Sequence, residues 1–357
     1  MKELKTQKNG SFDELNYFNA IACLLVILIH VLSLGITRLD PKSVELAAVY
    51  FPWKLAAYVV PGFLFTGAVK MALGFRSDKK VSYFRYMLRR ITKIFVPYLV
   101  YVLLFYAYYI HIGWMKLDIG ELFDYVIHGN IASPFYYIIT VMQFYLLMPL
   151  WKLMVKHVPA LVAIPSSALL TFVAFRLTPL LGVFGITYRY SDRVFPAYLF
   201  FWVVGLYAGK YYEKLTETLL KYKKSVLFCI VPAAMFSLLN LWQYRSGHFV
   251  YGTDANCMKM ISDLLSIIFF LGVCLYIKES KLGTVKKVLS WIFASSFTVY
   301  LCHCLFLVIS EQWVSRRSIT DIGVLLVIRF AVCYTLPFLW YFVLNSAGKL
   351  IGKLKTK

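Results

Sequence analysis

The chain has 357 residues, of which 61% are hydrophobic, 18% aromatic and only 15% charged, more apolar material than the core of a soluble domain this long can absorb. This excludes an ordinary water-soluble enzyme. The formal net charge of +21 does not indicate nucleic-acid binding either, because the cations lie in connectors between apolar runs rather than on a basic face of a soluble fold.

Apolar runs of about 20 residues, the length a helix needs to cross a ~30 Å hydrocarbon layer, recur through the chain. They predict an all-α integral membrane fold, a polytopic bundle of about ten transmembrane helices: Leu15–Thr37, Leu46–Phe75, Ile91–Ile110, Pro134–Leu153, Leu161–Leu177, Val194–Tyr212, Val226–Tyr244, Met258–Ile277, Val288–Ser310 and Ile322–Leu344. Residues 1–14 show no small-residue cleavage site and lead into a full-length run, so they are expected to stay as a cytoplasmic N-terminus. Lys and Arg concentrate in that segment, in "RSDKKVSYFRYMLRR", "KLMVKH", "KYYEKLTETLLKYKKS" and "KESKLGTVKK", and in the basic tail 345–357. The positive-inside bias then places both termini in the cytoplasm. The connectors are too short for a soluble domain, so residues 1–357 read as one transmembrane domain.

Polar groups inside such runs are costly and mark candidate sites. His30 in "FNAIACLLVILIH" lies fifteen residues beyond the start of the first run, a rise of ~22 Å. His303 lies fifteen residues into the ninth run, which points the same way, so the two share a layer. A lone histidine there reads as an interior residue bonded to a carbonyl or hydroxyl. Two at one depth can share a cavity, where a neutral imidazole can take a proton from a hydroxyl attacking a carbonyl.

The start of the third run, "RYMLRRITKIFVPY", clusters Arg85, Arg89, Arg90 and Lys93, with Pro97 placed to open the helix. The cluster reads either as positive-inside flanking or as a clamp for the phosphates of a cytosolic donor. Gln143, mid-span among aromatics, suits an interhelical bond or a substrate contact. The connector "GITYRYSDRVFPAY", with Arg189 and Arg193, suits a lip for a sugar acceptor or an aromatic belt. Gly205 and Gly209 have the spacing that lets another helix approach closely. Asp263 and Arg329, the deeply placed charges of the eighth and tenth runs, are expected to neutralise each other. The alternative is that Asp263 orients a histidine or Arg329 contacts an anionic ligand. The seven cysteines lie mostly within apolar runs and read as reduced fillers. "CHC" at 302–304 is not expected to hold a metal, since adjacent positions face different sides of a helix. The chain has no Walker-type phosphate loop, G-x-S-x-G elbow or H-E-x-x-H helix.

Taken in order, "FNAIACLLVILIH", "RRITKIFVPY", "YYIITVMQFYLLMPL", "GLYAGKYYE" and "SFTVYLCH" resemble the acyltransferase 3 family of bacterial membrane proteins across nearly the whole chain. Within that family the chain is most similar to the intercellular-adhesion branch, which acylates exported poly-N-acetylglucosamine. The resemblance implies transfer of an acetyl- or succinyl-type group from a cytosolic acyl-CoA, a co-substrate rather than a permanently bound cofactor, to a carbohydrate hydroxyl. It also implies a bacterial cytoplasmic membrane, with the lipid bilayer and a polysaccharide-synthesis machinery as partners and no nucleic acid. His30 matches the presumed catalytic histidine, as general base or brief acyl carrier. His303 matches a late tyrosine-x-x-histidine position through Tyr300, the two expected to orient the acceptor or protonate the leaving group. The family's usual arginine eleven residues before the first histidine is Asn19 here, leaving Arg89, Arg90 and Lys93 as substitutes at the donor site. The rival expectations are an exporter or flippase of a polysaccharide or lipid-linked sugar, and a structural partner within a polysaccharide synthase.

Overall fold

A computed structural model of the chain describes residues 12–76, 82–185, 190–247 and 253–354, and among these it is helical with no strand. The first helix, α1 (Asp13–Arg38), begins with Asp13 and Glu14 and ends on Arg38, charges that complement its dipole. Ser43 caps α2 (Val44–Leu55) by accepting from the Leu46 amide at 3.0 Å, and a 3₁₀ turn carries α2 into α3 (Val59–Phe75). The next span joins α4 (Tyr83–Arg90) to α5 (Val96–His111) through a π-helical turn at Ile91–Phe95. Pro97, which has no amide to donate, sits just beyond that turn, as the expected opening of the helix requires.

A short helix, α6 (Ile119–His128), is capped by Asp118 and closed by Gly129 at φ +62°. There a Cβ would meet the Phe135 carbonyl at 2.8 Å, so glycine is needed for both backbone angle and space. Then α7 (Tyr136–Leu146) and α8 (Met148–His157) form a pair bent by 58°. They are followed by α9 (Ala160–Val183), α10 (Leu199–Lys210), α11 (Tyr212–Lys221), α12 (Lys223–Phe228) and α13 (Ile230–Ser246). Three long helices finish the chain: α14 (Thr253–Glu279), α15 (Gly283–Ser315) and α16 (Ile322–Leu354).

Eight helices among the described residues are long and apolar enough to cross a membrane, nine if the bent α7–α8 pair counts as one span, rather than the ten expected. The run Val194–Tyr212 falls short. A 3₁₀ turn at Phe195–Tyr198, with Pro196 as its second residue, leaves α10 only 12 residues, about 18 Å of rise. This short helix is packed inside the protein. A Cβ at Gly205 would stand 2.5 Å from the Phe65 carbonyl and one at Gly209 2.7 Å from that of Val69, so these glycines do let α10 lie directly on α3. Trp202 of α10 is fully buried and stacks on Phe144, ring centroids 4.4 Å apart.

The central helix is α1, which packs against α2, α3, α14, α15 and α16. The end of the bundle where α1 starts is called the near end, and the end where it finishes the far end. At the near end Glu14 is buried, accepting from the Tyr212 hydroxyl at 2.5 Å and pairing with Lys278 at 2.8 Å. Burial, and then the Glu14 carboxylate beside it, push the Tyr212 phenol well up from its ordinary pKa. Arg76 donates to the Gly209 and Lys210 carbonyls at the end of α10 and pairs with Glu213, whose carboxyl that hydrogen bond holds below its ordinary range.

Candidate active site

Because α1 and α15 lie side by side and run the same way, equal depth becomes contact: the rings of His30 and His303 are 5.2 Å apart, centroid to centroid, tilted by 51°. His303 is fully buried, and its Nδ1 faces the carbonyls of Val299 at 3.1 Å and Tyr300 at 2.8 Å. Carbonyls only accept, so Nδ1 carries the hydrogen and the neutral ring keeps its lone pair on Nε2. That Nε2 is buried with no hydrogen-bond partner among the described residues. His30 is half-buried, and its carbonyl receives Arg329 Nη2 at 2.5 Å and the Ser33 hydroxyl at 2.7 Å. A third soft group stands alongside. Cys304 Sγ and the two imidazoles offer atoms that lie within 4.8 Å of one another, because His30 arrives from another helix.

The expected pairing of Asp263 with Arg329 does not form. Arg329 places Nη1 on Glu311 at 2.7 Å, and Asp263 pairs with Lys259 one turn earlier on its own helix, with Lys54 in electrostatic reach. The physical reason is helix length. The apolar run ends at Ser310, but α15 continues to Ser315 and brings Glu311 beside Arg329. With its carboxylate held by Lys259, Asp263 is not the group that orients either histidine. Tyr300 donates its hydroxyl to the Pro134 carbonyl, fastening α15 to the start of α7 rather than presenting a free phenol to the pair.

Gln143 donates to the Arg193 carbonyl at 2.9 Å and accepts from the Phe195 amide at 2.9 Å, and Arg193 donates to the His128 carbonyl at 2.7 Å while its guanidinium lies 4.7 Å from the Tyr190 ring. Both therefore brace the far-end connector. Arg189 lies outside the described residues. Nearby, partial burial opposes the charge on Asp124, but hydrogen bonds from Asn130, Tyr190 and His128 outweigh it and hold that carboxyl below its ordinary range. Asn19 accepts from the Thr66 hydroxyl at 2.7 Å, and one turn along α3 Lys70 reaches Asn16 at 3.0 Å.

At the near end a cavity of about 300 Å³ is lined by Lys70, Tyr83, Tyr86, Arg90 and Lys152, among others. Of the four cations singled out on the third run, only Arg90 lines it, its guanidinium 4.5 Å from the Tyr145 ring and 5.1 Å from Tyr86. Arg85, Arg89 and Lys93 recur every four residues along the exposed side of the span, whereas Arg90 shares the inner side with Tyr86. Lys70 and Lys152 were missed. The signal for Lys70 was a lysine within an apolar run, for Lys152 only a basic flank. At the far end, a second cavity of about 590 Å³ is bordered by Leu34, Arg329 and Glu311. The two cavities share no lining residue, and α1 between them carries buried Phe18, Ala22, Cys23 and Val26. Together, these features set two adjacent imidazoles between a cationic pocket at one end and a mixed polar pocket at the other.

Comparison with known proteins identifies the family. The acyltransferase domain family matches residues 12–344. Relatives include the probable poly-beta-1,6-N-acetyl-D-glucosamine export protein of Staphylococcus aureus strain MSSA476, 23% identical over 304 residues and covering 81% of each chain. The protein of the same name from Staphylococcus epidermidis is 24% identical over 310 residues, covering 81% of this chain and 79% of that one. No solved structure matches the chain. With the family match running from the first described helix into the last, this polytopic membrane protein belongs to the acyltransferase domain family.

Proposed function

We propose that the protein moves an acyl group from a coenzyme A thioester bound at the near end to a carbohydrate hydroxyl presented from the far end, with His30 and His303 as the reacting layer. The observation that carries this reading is the histidine pair, fully buried His303 holding a defined, unpartnered lone pair beside half-buried His30. His30 acts as general base and His303 as its orienter, because a small rotation lets a His30 N–H meet His303 Nε2 and fixes the free His30 nitrogen as acceptor. The acceptor oxygen attacks the thioester carbonyl carbon, its proton passes to His30, the new C–O bond forms and the C–S bond breaks. The thiolate then takes that proton and leaves as the thiol.

Lys70, Arg90 and Lys152 suit the phosphates of the donor. The basic near end suits the cytoplasmic side of a bacterial membrane, with both termini inside. From Asn16, which Lys70 contacts, to His30 is a rise of about 21 Å along α1, which the extended arm of the thioester must cover by parting the packed helices.

The test is purified protein in bilayers, given acetyl-CoA and a β-1,6-linked N-acetylglucosamine oligosaccharide, with ester formation as readout. His30→Ala lowers the rate by about 10²–10⁴-fold while the protein stays folded. Full activity in that variant overturns the assignment. The relatives' printed name favours a second reading, polysaccharide export. Under it, cells carrying His30→Ala still deliver polymer outside, and acyl content does not depend on the protein.

A further inference from the structure

The far-end cavity is larger than the near-end one and chemically unlike it. We infer that it is the acceptor subsite, built to hold one face of a neutral sugar ring on Trp114 and the ring's hydroxyls on Gln312, Glu311 and Arg38. This inference rests on the acyl-transfer reading and adds where, and by which groups, the acceptor is held.

Position comes first. Leu34, one helical turn beyond His30, lines the cavity, and so does Arg329, whose Nη2 donates to the His30 carbonyl. The floor of the cavity is thus about 6 Å along α1 from the proposed base. At about 590 Å³, it falls within the ~300–1,000 Å³ typical of small-molecule sites.

Chemistry comes second. Trp114 is 55% exposed and held in place: its backbone amide donates to the Tyr109 carbonyl at 2.9 Å and its ring lies 5.5 Å from that of Tyr109 at 30°. A fixed, half-open aromatic face is what the C–H face of a pyranose packs against, at little cost in side-chain entropy. Around it stand an amide, a carboxylate and a guanidinium, which between them donate to and accept from hydroxyls. Arg329 is neutralised by Glu311, so Arg38 is the cavity's one cation with no ion pair among the described residues. That is too little positive charge for a multiply anionic headgroup but enough for a polyol. The rim is set by Ser318, held at φ +53°, a conformation uncommon outside glycine, in the turn between α15 and α16.

The test uses the whole protein in bilayers, acetyl-CoA and a β-1,6-linked N-acetylglucosamine tetrasaccharide. Two readouts are taken: steady-state rates, and saturation-transfer NMR of the tetrasaccharide without donor. Trp114→Ala and Gln312→Ala each raise the acceptor KM about tenfold with the donor KM unmoved, and weaken the NMR signal, while Trp114→Phe restores part of the loss. Trp313→Ala is the control, an exposed residue of α15 beside Gln312 that faces an adjoining apolar groove and does not itself line the cavity, and it keeps wild-type values. An unchanged acceptor KM, a rise confined to the donor KM, or a loss reproduced by withdrawing anionic lipid from the vesicles overturns the subsite. If wild type binds the tetrasaccharide through Trp114 but transfers nothing to it, the acyl-transfer reading fails while the sugar site stands. If His30→Ala abolishes transfer and Trp114→Ala leaves acceptor KM and NMR signal unchanged, the reading stands and the subsite fails.

Discussion

The two ends of the bundle solve different recognition problems with different kinds of polar group. The near-end cavity gathers Lys70, Arg90 and Lys152 around tyrosine rings, with no carboxylate in its lining. The far-end cavity sets Arg38 and Arg329 against Glu311 and adds a tryptophan and an amide. Three positive charges with no carboxylate beside them favour a multiply charged anion, whereas a single net positive charge beside an aromatic face favours a neutral polyol. The histidine pair sits much closer to the second cavity than to the first. A polar acceptor therefore needs only a short approach, and a donor needs a long arm.

The sharpest test of that asymmetry lies in the layer itself. His303→Ala removes the lone pair that orients His30, and kcat is expected to fall by about 10²-fold with both KM values near wild type. Tyr300→Phe, three residues away on the same helix, removes only the bond to Pro134. It is expected to cost about 1 kcal/mol of stability by thermal unfolding and to leave kcat within about twofold. Equal losses of kcat in both variants would mean that His303 acts through packing alone.

Depth was legible in the sequence because a helix rises by a fixed amount per residue, so counting from the ends of two parallel runs placed His30 and His303 together. Partners at helix ends were not legible. Hydropathy stops the ninth run at Ser310, whereas backbone hydrogen bonding carries α15 on through Glu311, Gln312 and Trp313 to Ser315. That extension supplies both the partner of Arg329 and part of the far-end cavity. Facing was also hidden. A basic string marks the near end without saying that Arg90 turns inward while Arg85, Arg89 and Lys93 do not, and nothing local reveals that α3 and α8 contribute Lys70 and Lys152 to the same hollow. The short α10 misled for the opposite reason, being as apolar as a span because it is buried in protein.

The link between the far-end cavity and the pair gives the next largest effect, and it is directional. Arg329 is 5% exposed, whereas the Glu311 side chain is 41% exposed. Removing Glu311 as Ala strands a buried guanidinium and is expected to cost about 3 kcal/mol. Arg329→Met leaves a carboxylate that water can reach, so the loss of stability is nearer 1 kcal/mol. Activity should fall in both, since the support under the His30 carbonyl is disturbed or lost. Thermal unfolding in one detergent ranks the two variants, and the reverse order would show that the ion pair is less one-sided than its burial indicates.

The smallest effects separate the inward from the outward cations at the near end. Lys70→Ala and Arg90→Ala each take one positive charge from the cavity, and the KM for acetyl-CoA is expected to rise about tenfold with the acceptor KM unmoved. Arg85→Ala and Lys93→Ala alter exposed positions on the other side of the span, where water screens the charge, so the donor KM is expected to shift by less than about twofold. The pair of results matters more than either alone. A donor that merely needed a basic surface would respond to all four substitutions alike and more weakly as salt is raised. One seated in the hollow beside Tyr86 distinguishes residues by the direction in which they face. Uniform losses across the four, erased by salt, would move the donor out of the cavity and onto the membrane surface.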